Sequence, residues 1–399
     1  MEKGCELNGK NALSTRDLVV EPYLNLYSNR IYNPVLDRHL FPKDTGYSTV
    51  KSLIQGKSNI ARIDSNLLKI LIDEGWLVQD SNGGLAERFY LKFVSLEAHT
   101  VCNQACYFCP VSAKPRKDYS MPDELYEDIL RQLSKYSDTI SLVYMINYNE
   151  PTIDKRFVDQ VRTIKKYGLP PAVNTNATGL TPQKVDKIME MGGLARLEVN
   201  MSSLDRVRYS KDRAADHIEI VKKNMNYMKD KKIAEMMDIS VLGQGDKQHM
   251  KDFIDISEYF RDSYFSVKYH IIMDRAGHLY VGRKPVFENK SLCGCDNLGS
   301  RPLQHIHITP HGKCVLCCED YDEDYVVGDL TTQTVEEVLK GPEIKKLRKW
   351  VYGVEKAPEN FICSKCVFSM PERDSFKPRS LLSKMADKLP SLINTGANA

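Results

Sequence analysis

The chain has 399 residues, a formal net charge of +3, and 42% hydrophobic against 27% charged residues. That length holds two or three domains, the composition excludes wholesale disorder, and so small a net charge gives no reason to expect a nucleic-acid partner. No apolar run approaches the roughly 20 residues of a membrane span, and the polar start "MEKGCELNGK" carries no secretory signal. The expectation is a cytoplasmic protein with no membrane partner.

In chain order, residues 47–78 read "YSTVKSLIQGKSNIARIDSNLLKILIDEGWLV". Leu53 and Ile54 stop at Gly56, and Leu67, Leu68, Leu71 and Ile72 form a second apolar stripe closed by Gly75. This predicts two helices of a small helical or winged module over residues 1–88. From 89 to 282 the period alternates. Strand-like "LKFVSLEA", "ISLVYMI", "PAVNTN", "LARLEVNM", "MMDISVL" and "YFSVKYHII" are separated by amphipathic stretches such as "PDELYEDILRQLSKY", where Leu125, Ile129 and Leu133 share a face. Six such units predict an α/β fold with a parallel sheet and right-handed crossovers. The span is shorter than the roughly 250 residues of a closed eight-unit barrel, which points to an open, partial (β/α)6 barrel. Residues 283–372 form a third region with short strand and turn signals, and 373–399 a basic, flexible tail.

Eleven cysteines fall into three groups: Cys5 alone, Cys102, Cys106 and Cys109 together, and seven more between 293 and 366. A disulfide scaffold would be short and secreted, so the groups read as metal ligands. "TVCNQACYFCP" follows the first barrel strand directly. A structural zinc takes four ligands, and no fourth Cys or His follows here. Three thiolates can instead hold three irons of a 4Fe-4S cube and leave the fourth open.

This CX3CX2C loop resembles the signature of the radical S-adenosylmethionine (SAM) superfamily. The resemblance implies a 4Fe-4S cluster on Cys102, Cys106 and Cys109, with SAM on its open iron. It further implies reductive cleavage of SAM to a 5′-deoxyadenosyl radical that abstracts a substrate hydrogen, and a reductant such as flavodoxin or ferredoxin. "NYNEP" stands where the family has Gly-Gly-Glu-Pro, which makes Tyr148, Asn149, Glu150 and Pro151 candidates for holding the methionine moiety. "NTNAT" places Thr175 and Asn176 beside the cofactor, with Ala177 where the family has glycine. "NMSSLD" places Ser202 there, assisted by Arg213, and "VLGQGD" is a candidate wall of the adenine pocket.

The later cysteines, with "GDLTTQTVEEVLKG" between their two halves, resemble the SPASM/twitch auxiliary-cluster domain over 283–372. That implies an auxiliary 4Fe-4S cluster on Cys295, Cys317, Cys363 and Cys366. Cys293 is the alternative to Cys295, and a four-cysteine zinc ribbon is the rival for the whole site. Cys5, Cys314 and Cys318 are candidate hydrogen donors. Enzymes with such a domain modify ribosomally made peptides, or oxidise or epimerise small molecules such as aminocyclitols and sugars. The N-terminal module is similar to peptide-chaperone domains, which favours peptide modification. Small-molecule oxidation is the alternative, a non-catalytic iron-sulfur electron carrier or sensor a third reading, and a structural cap over the barrel mouth the other role for the module.

Overall fold

A computed structural model describes residues 17–80, 84–285 and 291–371; Cys5 and the tail from 373 lie outside the described residues. At the N-terminus, β1 (Leu18–Val20) is followed by a three-stranded antiparallel sheet of β2 (Asn25–Leu26), β3 (Ile31–Asn33) and β4 (Arg38–Leu40). Helices Tyr47–Ile54 and Ser65–Asp73 come next, and β5 (Leu77–Gln79) pairs back on β1. The second helix begins where the Asp64 carboxylate accepts the main-chain N–H groups of Asn66 and Leu67, which satisfies donors that the helix itself leaves unpaired. It ends at Gly75, whose φ of +77° costs a glycine little. Ile31, Leu40, Val50, Leu71, Trp76 and Leu77 bury a separate small core. The two helices match expectation; the three-stranded sheet does not appear in the sequence pattern, because strands of two or three residues are too short to show alternation.

The barrel runs through β6 (Phe93–Leu96), β7 (Leu142–Tyr144), β8 (Pro171–Thr175), β9 (Leu194–Met201), β10 (Ala234–Gly243) and β11 (Ser266–Ile271), each pairing with the next in parallel. Five of the six lie inside the expected segments, and β10 overruns "MMDISVL" by two residues at its start and one at its end. The intervening helices bury one stripe each. In Phe157–Lys166, the side chains of Phe157, Val161 and Ile164 are fully buried while Asp159 and Arg162 face solvent; burying each apolar group stabilises the fold by about 1.5–3 kcal/mol.

The third region is continuous with the barrel. After β12 (Leu292–Cys295), β13 (His305–Ile308) lies parallel to β6, with Ile306 opposite Val94. β14 (Lys313–Val315) and β15 (Val326–Asp329) extend the same sheet antiparallel, giving nine strands in the order β11-β10-β9-β8-β7-β6-β13-β14-β15. β16 (Ser369–Pro371) returns to pair with β12. Thus the last cysteine pair, Cys363 and Cys366, is carried back to the strand that holds Cys295. Among the described residues no helix is long and apolar enough to cross a membrane.

Candidate active site between two cysteine groups

The carboxyl ends of the barrel strands open into a cavity of about 460 Å³, within the range of small-ligand sites. The loop after β6 brings Cys102, Cys106 and Cys109 to its lining, and the turn after β14 brings Cys318 and Glu319. Burial pushes the Cys102 thiol up to about 12 and raises that of Cys109. It also raises Cys295, Cys317, Cys363 and Cys366, which influence one another electrostatically as a second group. A buried thiolate needs positive charge beside it, so these thiols stay protonated unless a bound cation takes the place of the proton.

A second feature fits iron-sulfur ligation. Cys102, Cys109, Cys295, Cys317 and Cys366 each accept a main-chain N–H from the residue two positions on: Gln104, Val111, Asn297, Glu319 and Phe368. Such N–H···S bonds are among the groups that set cluster potentials. Cys293 differs, since its thiol donates to the Met370 carbonyl at 3.5 Å. Among the described residues no three His, Cys, Asp or Glu side chains are arranged to hold a single metal ion.

Around the first group, Arg213 is 2% exposed and donates to the Cys106 sulfur at 3.7 Å, with its guanidinium over the Phe108 ring. Its Nε and Nη2 have no hydrogen-bond partner among the described residues. Tyr148 and Asn149 line the cavity, as do Thr175 and Asn176. Tyr148 is held at both ends: its N–H donates to Glu97 Oε1 at 2.9 Å and its hydroxyl to the Cys318 carbonyl.

Glu150 also lines the cavity, but its carboxylate already accepts Thr152 N, Thr152 Oγ1, Thr175 Oγ1 and Asn176 N at 2.5–3.0 Å; it clamps the end of β7 to the end of β8. Asn176 ties its loop to Asn103 in the cysteine loop at 2.9 Å. Ser202 is fully buried and does not line the cavity, because β9 ends at Met201 and the chain turns away. Pro151 begins a buried 3-10 turn. Asp246 caps helix Lys247–Tyr259 through the His249 N–H, and of "VLGQGD" only Leu242 lines the cavity. Cys314 packs wholly into the hydrophobic core, whereas Cys318 lines the cavity. No residue of 17–80 lines the cavity. The module packs instead on the third region, where Asn25 Nδ2 donates to the carbonyls of Cys295 and Gly299 at 2.9 and 3.0 Å and Tyr27 to Asp296 at 2.8 Å.

Sequence reasoning missed the polar floor. Arg196, Glu198 and Asn200 alternate inward along β9, with Ser240 on β10 and Lys268 and His270 on β11. Arg196 pairs with Glu198 at 3.1 Å and Asp238 at 2.8 Å, and Ser240 donates to Glu198 at 2.6 Å. The alternation of polar residues in "LARLEVNM" was the available signal. Arg275 had none: it enters from a loop, at a φ of +54°, and pairs with Glu319 at 3.2 Å.

The profile of the radical SAM superfamily matches residues 96–257, and that of SPASM, an iron-sulfur cluster-binding domain, matches 295–367. The chain carries a radical SAM domain and a SPASM domain. Its radical SAM and SPASM domains imply SAM and 4Fe-4S clusters as cofactors. This radical SAM protein is 30% identical over 102 residues to the tungsten-containing aldehyde ferredoxin oxidoreductase cofactor-modifying protein of Pyrococcus furiosus, covering 26% of this chain and 28% of that one. It is 30% identical over 105 residues to the SAM-dependent 2-deoxy-scyllo-inosamine dehydrogenase of Niallia circulans, covering 25% and 40%. The matches thus span well under two thirds of these relatives. In fold it is similar to Streptococcus suis SuiB bound to precursor peptide SuiA, with a TM-score of 0.52 at 13% identity, covering 88% of this chain and 92% of that one. It is also similar to native anSMEcpe with bound AdoMet, with a TM-score of 0.51 at 15% identity, covering 76% and 98%.

Proposed function

We propose that this radical SAM enzyme removes a hydrogen atom from a polar residue of a ribosomally made peptide. The observation that carries the reading is one cavity lined both by the CX3CX2C loop and by Cys318 and Glu319, which directly follow Cys317. In this reading Cys102, Cys106 and Cys109 hold the first cluster, and Cys295, Cys317, Cys363 and Cys366 an auxiliary one. Cluster and SAM together supply one-electron hydrogen abstraction when bound.

The chain's own residues position and shield. The free Nε–H and Nη2–H of Arg213 offer a charge-assisted site for the methionine carboxylate. Asn149, on the loop clamped by Glu150, and Asn176 flank the same wall. The floor of Arg196, Glu198 and Ser240 offers donors and acceptors to a polar substrate group, while Leu242, Ile271, Ile272 and Met273 line the same cavity with apolar surface. The N-terminal module presents a short exposed strand, β4, of the kind that receives an extended peptide, and SuiB, a protein of similar fold, is known with a precursor peptide. The reductant would be a flavodoxin or ferredoxin, and the setting a reducing cytoplasm that keeps the ligand thiols free.

The polar floor also favours a second reading, dehydrogenation of a small polyhydroxylated amine or sugar. Anaerobically reconstituted, reduced protein is to be given precursor peptides encoded near its gene and, separately, aminocyclitols. Faster 5′-deoxyadenosine release together with a mass change in a peptide supports the first reading. Turnover of the small molecules alone rejects it, and no 5′-deoxyadenosine under any condition rejects both.

A further inference from the structure

Four arginines line the cavity: Arg196, Arg213, Arg275 and Arg301. Arg275 is neutralised by Glu319, and Arg196 by Glu198 and Asp238. Arg301 makes no ion pair with a carboxylate among the described residues. Its Nη1 donates to His305 Nδ1 at 2.9 Å and His307 Nε2 at 3.2 Å, and its Nη2 to Asn297 Oδ1 at 3.4 Å.

A guanidinium only donates, so the two imidazole nitrogens facing it carry lone pairs. His305 then keeps its proton on Nε2, toward Ser95 Oγ at 2.9 Å, and His307 on Nδ1, toward Asn147 Oδ1 at 3.4 Å. Both rings are neutral, and burial together with the charge of Arg301 pushes their pKa values far down. Arg301 is therefore held by neutral dipoles alone and keeps its full positive charge in the cavity wall. That arrangement is costly without negative charge nearby. The acidic groups that favour its charge most are Cys318, Cys317, Glu319 and Cys295, and Glu319 is already met by Arg275. The main-chain N–H of Arg301 also donates to the Cys295 sulfur.

We propose that Arg301 is the built-in counter-cation of the auxiliary cluster and holds its reduction potential up. The inference rests on the reading that Cys295, Cys317, Cys363 and Cys366 hold that cluster. Reduction adds one negative charge to the cluster, and a fixed cation beside it favours that state. The neutral His305–His307 pair secures the guanidinium without cancelling its charge. Arg301 is a positioning residue that acts through the cluster and touches no reacting atom.

The test uses the full chain with Cys102, Cys106 and Cys109 all replaced by Ala, so that only the auxiliary cluster is read, by iron and sulfide analysis and a redox titration followed by electron paramagnetic resonance. In that background Arg301→Gln is expected to shift the midpoint potential to more negative values at unchanged iron content, while Arg301→Lys keeps most of the wild-type potential. An unchanged potential in the Gln variant overturns the proposal. If the Gln variant loses its cluster and the Lys variant keeps it, the positive charge is required and the proposal stands. Loss in both alike, with an unchanged circular dichroism spectrum, overturns it in favour of packing. Absence of iron from the triple variant with Arg301 intact would sink the cluster assignment, and the inference with it.

Discussion

Arg116 grips Glu97 through two hydrogen bonds, at 2.6 and 2.9 Å, in a pair whose carboxylate is fully buried. Glu97 lies just after β6 and Arg116 just beyond the cysteine loop, so the pair closes that loop at its base, and Glu97 also receives the Tyr148 N–H. Removing one partner strands a buried charge, at a typical cost of 3–5 kcal/mol. Arg116→Met is expected to destabilise by that amount in urea unfolding, and the double variant Arg116→Met, Glu97→Leu by clearly less. Equal losses in the two would show that the pair is not what holds the loop.

The two thiols of β12 are predicted to behave differently. Cys295 accepts main-chain N–H groups from Asn297 and Arg301, whereas Cys293 donates to the Met370 carbonyl. Cys293→Ala should keep the wild-type iron content after reconstitution, about eight irons for two four-iron clusters. Cys295→Ala should lose or weaken one cluster and leave the first intact. The reverse pattern would reassign the ligand.

His249 carries a signed pH dependence. It is fully buried, bonds the Val241 carbonyl at 2.9 Å, accepts the Gly245 N–H at 3.1 Å and stacks on Tyr269. Burial holds its pKa below the usual 6.5, against the opposing pull of Asp246 and Asp252 and with the help of Arg208. The unfolded chain then binds more protons than the folded one just below pH 6.5. Stability is complete above that pH and falls on acidification through the window down to the folded pKa, by at most about 1.4 kcal/mol per pH unit. Unfolding of the wild type and of His249→Gln between pH 7 and 5 measures this; the variant should lose that part of the slope, and parallel slopes would refute the assignment.

Ala177 occupies the position where the resembling segment has glycine, and it adopts a φ of +64° with its side chain fully buried. A left-handed alanine costs roughly 1–2 kcal/mol, and glycine gives back about 0.5–1 kcal/mol of that in chain entropy. Ala177→Gly is therefore expected to be neutral or stabilising by up to about 1 kcal/mol in denaturant unfolding. A loss above about 1 kcal/mol would mean that the Ala177 methyl group packs better than its backbone is strained.

The sequence alone determined the order of strands and helices in the barrel, because apolar periodicity is local and each element buries one stripe or face. It also singled out the two cysteine groups, since ligand spacing within a loop is a property of a few consecutive residues. Tertiary structure decided what lies opposite those loops. β13 joining β6 makes one sheet of two expected domains, and it carries Arg301, His305 and Cys318 to a cavity that residues of the loop 102–109 also line. Glu150 reads as a ligand in "NYNEP" and becomes a clamp only when Thr175 and Asn176, two dozen residues on, arrive to donate to it. Local patterns specify which atoms are available, but the partners that satisfy a buried charge are chosen by the sheet order and by burial, and neither is written in any short stretch of the chain.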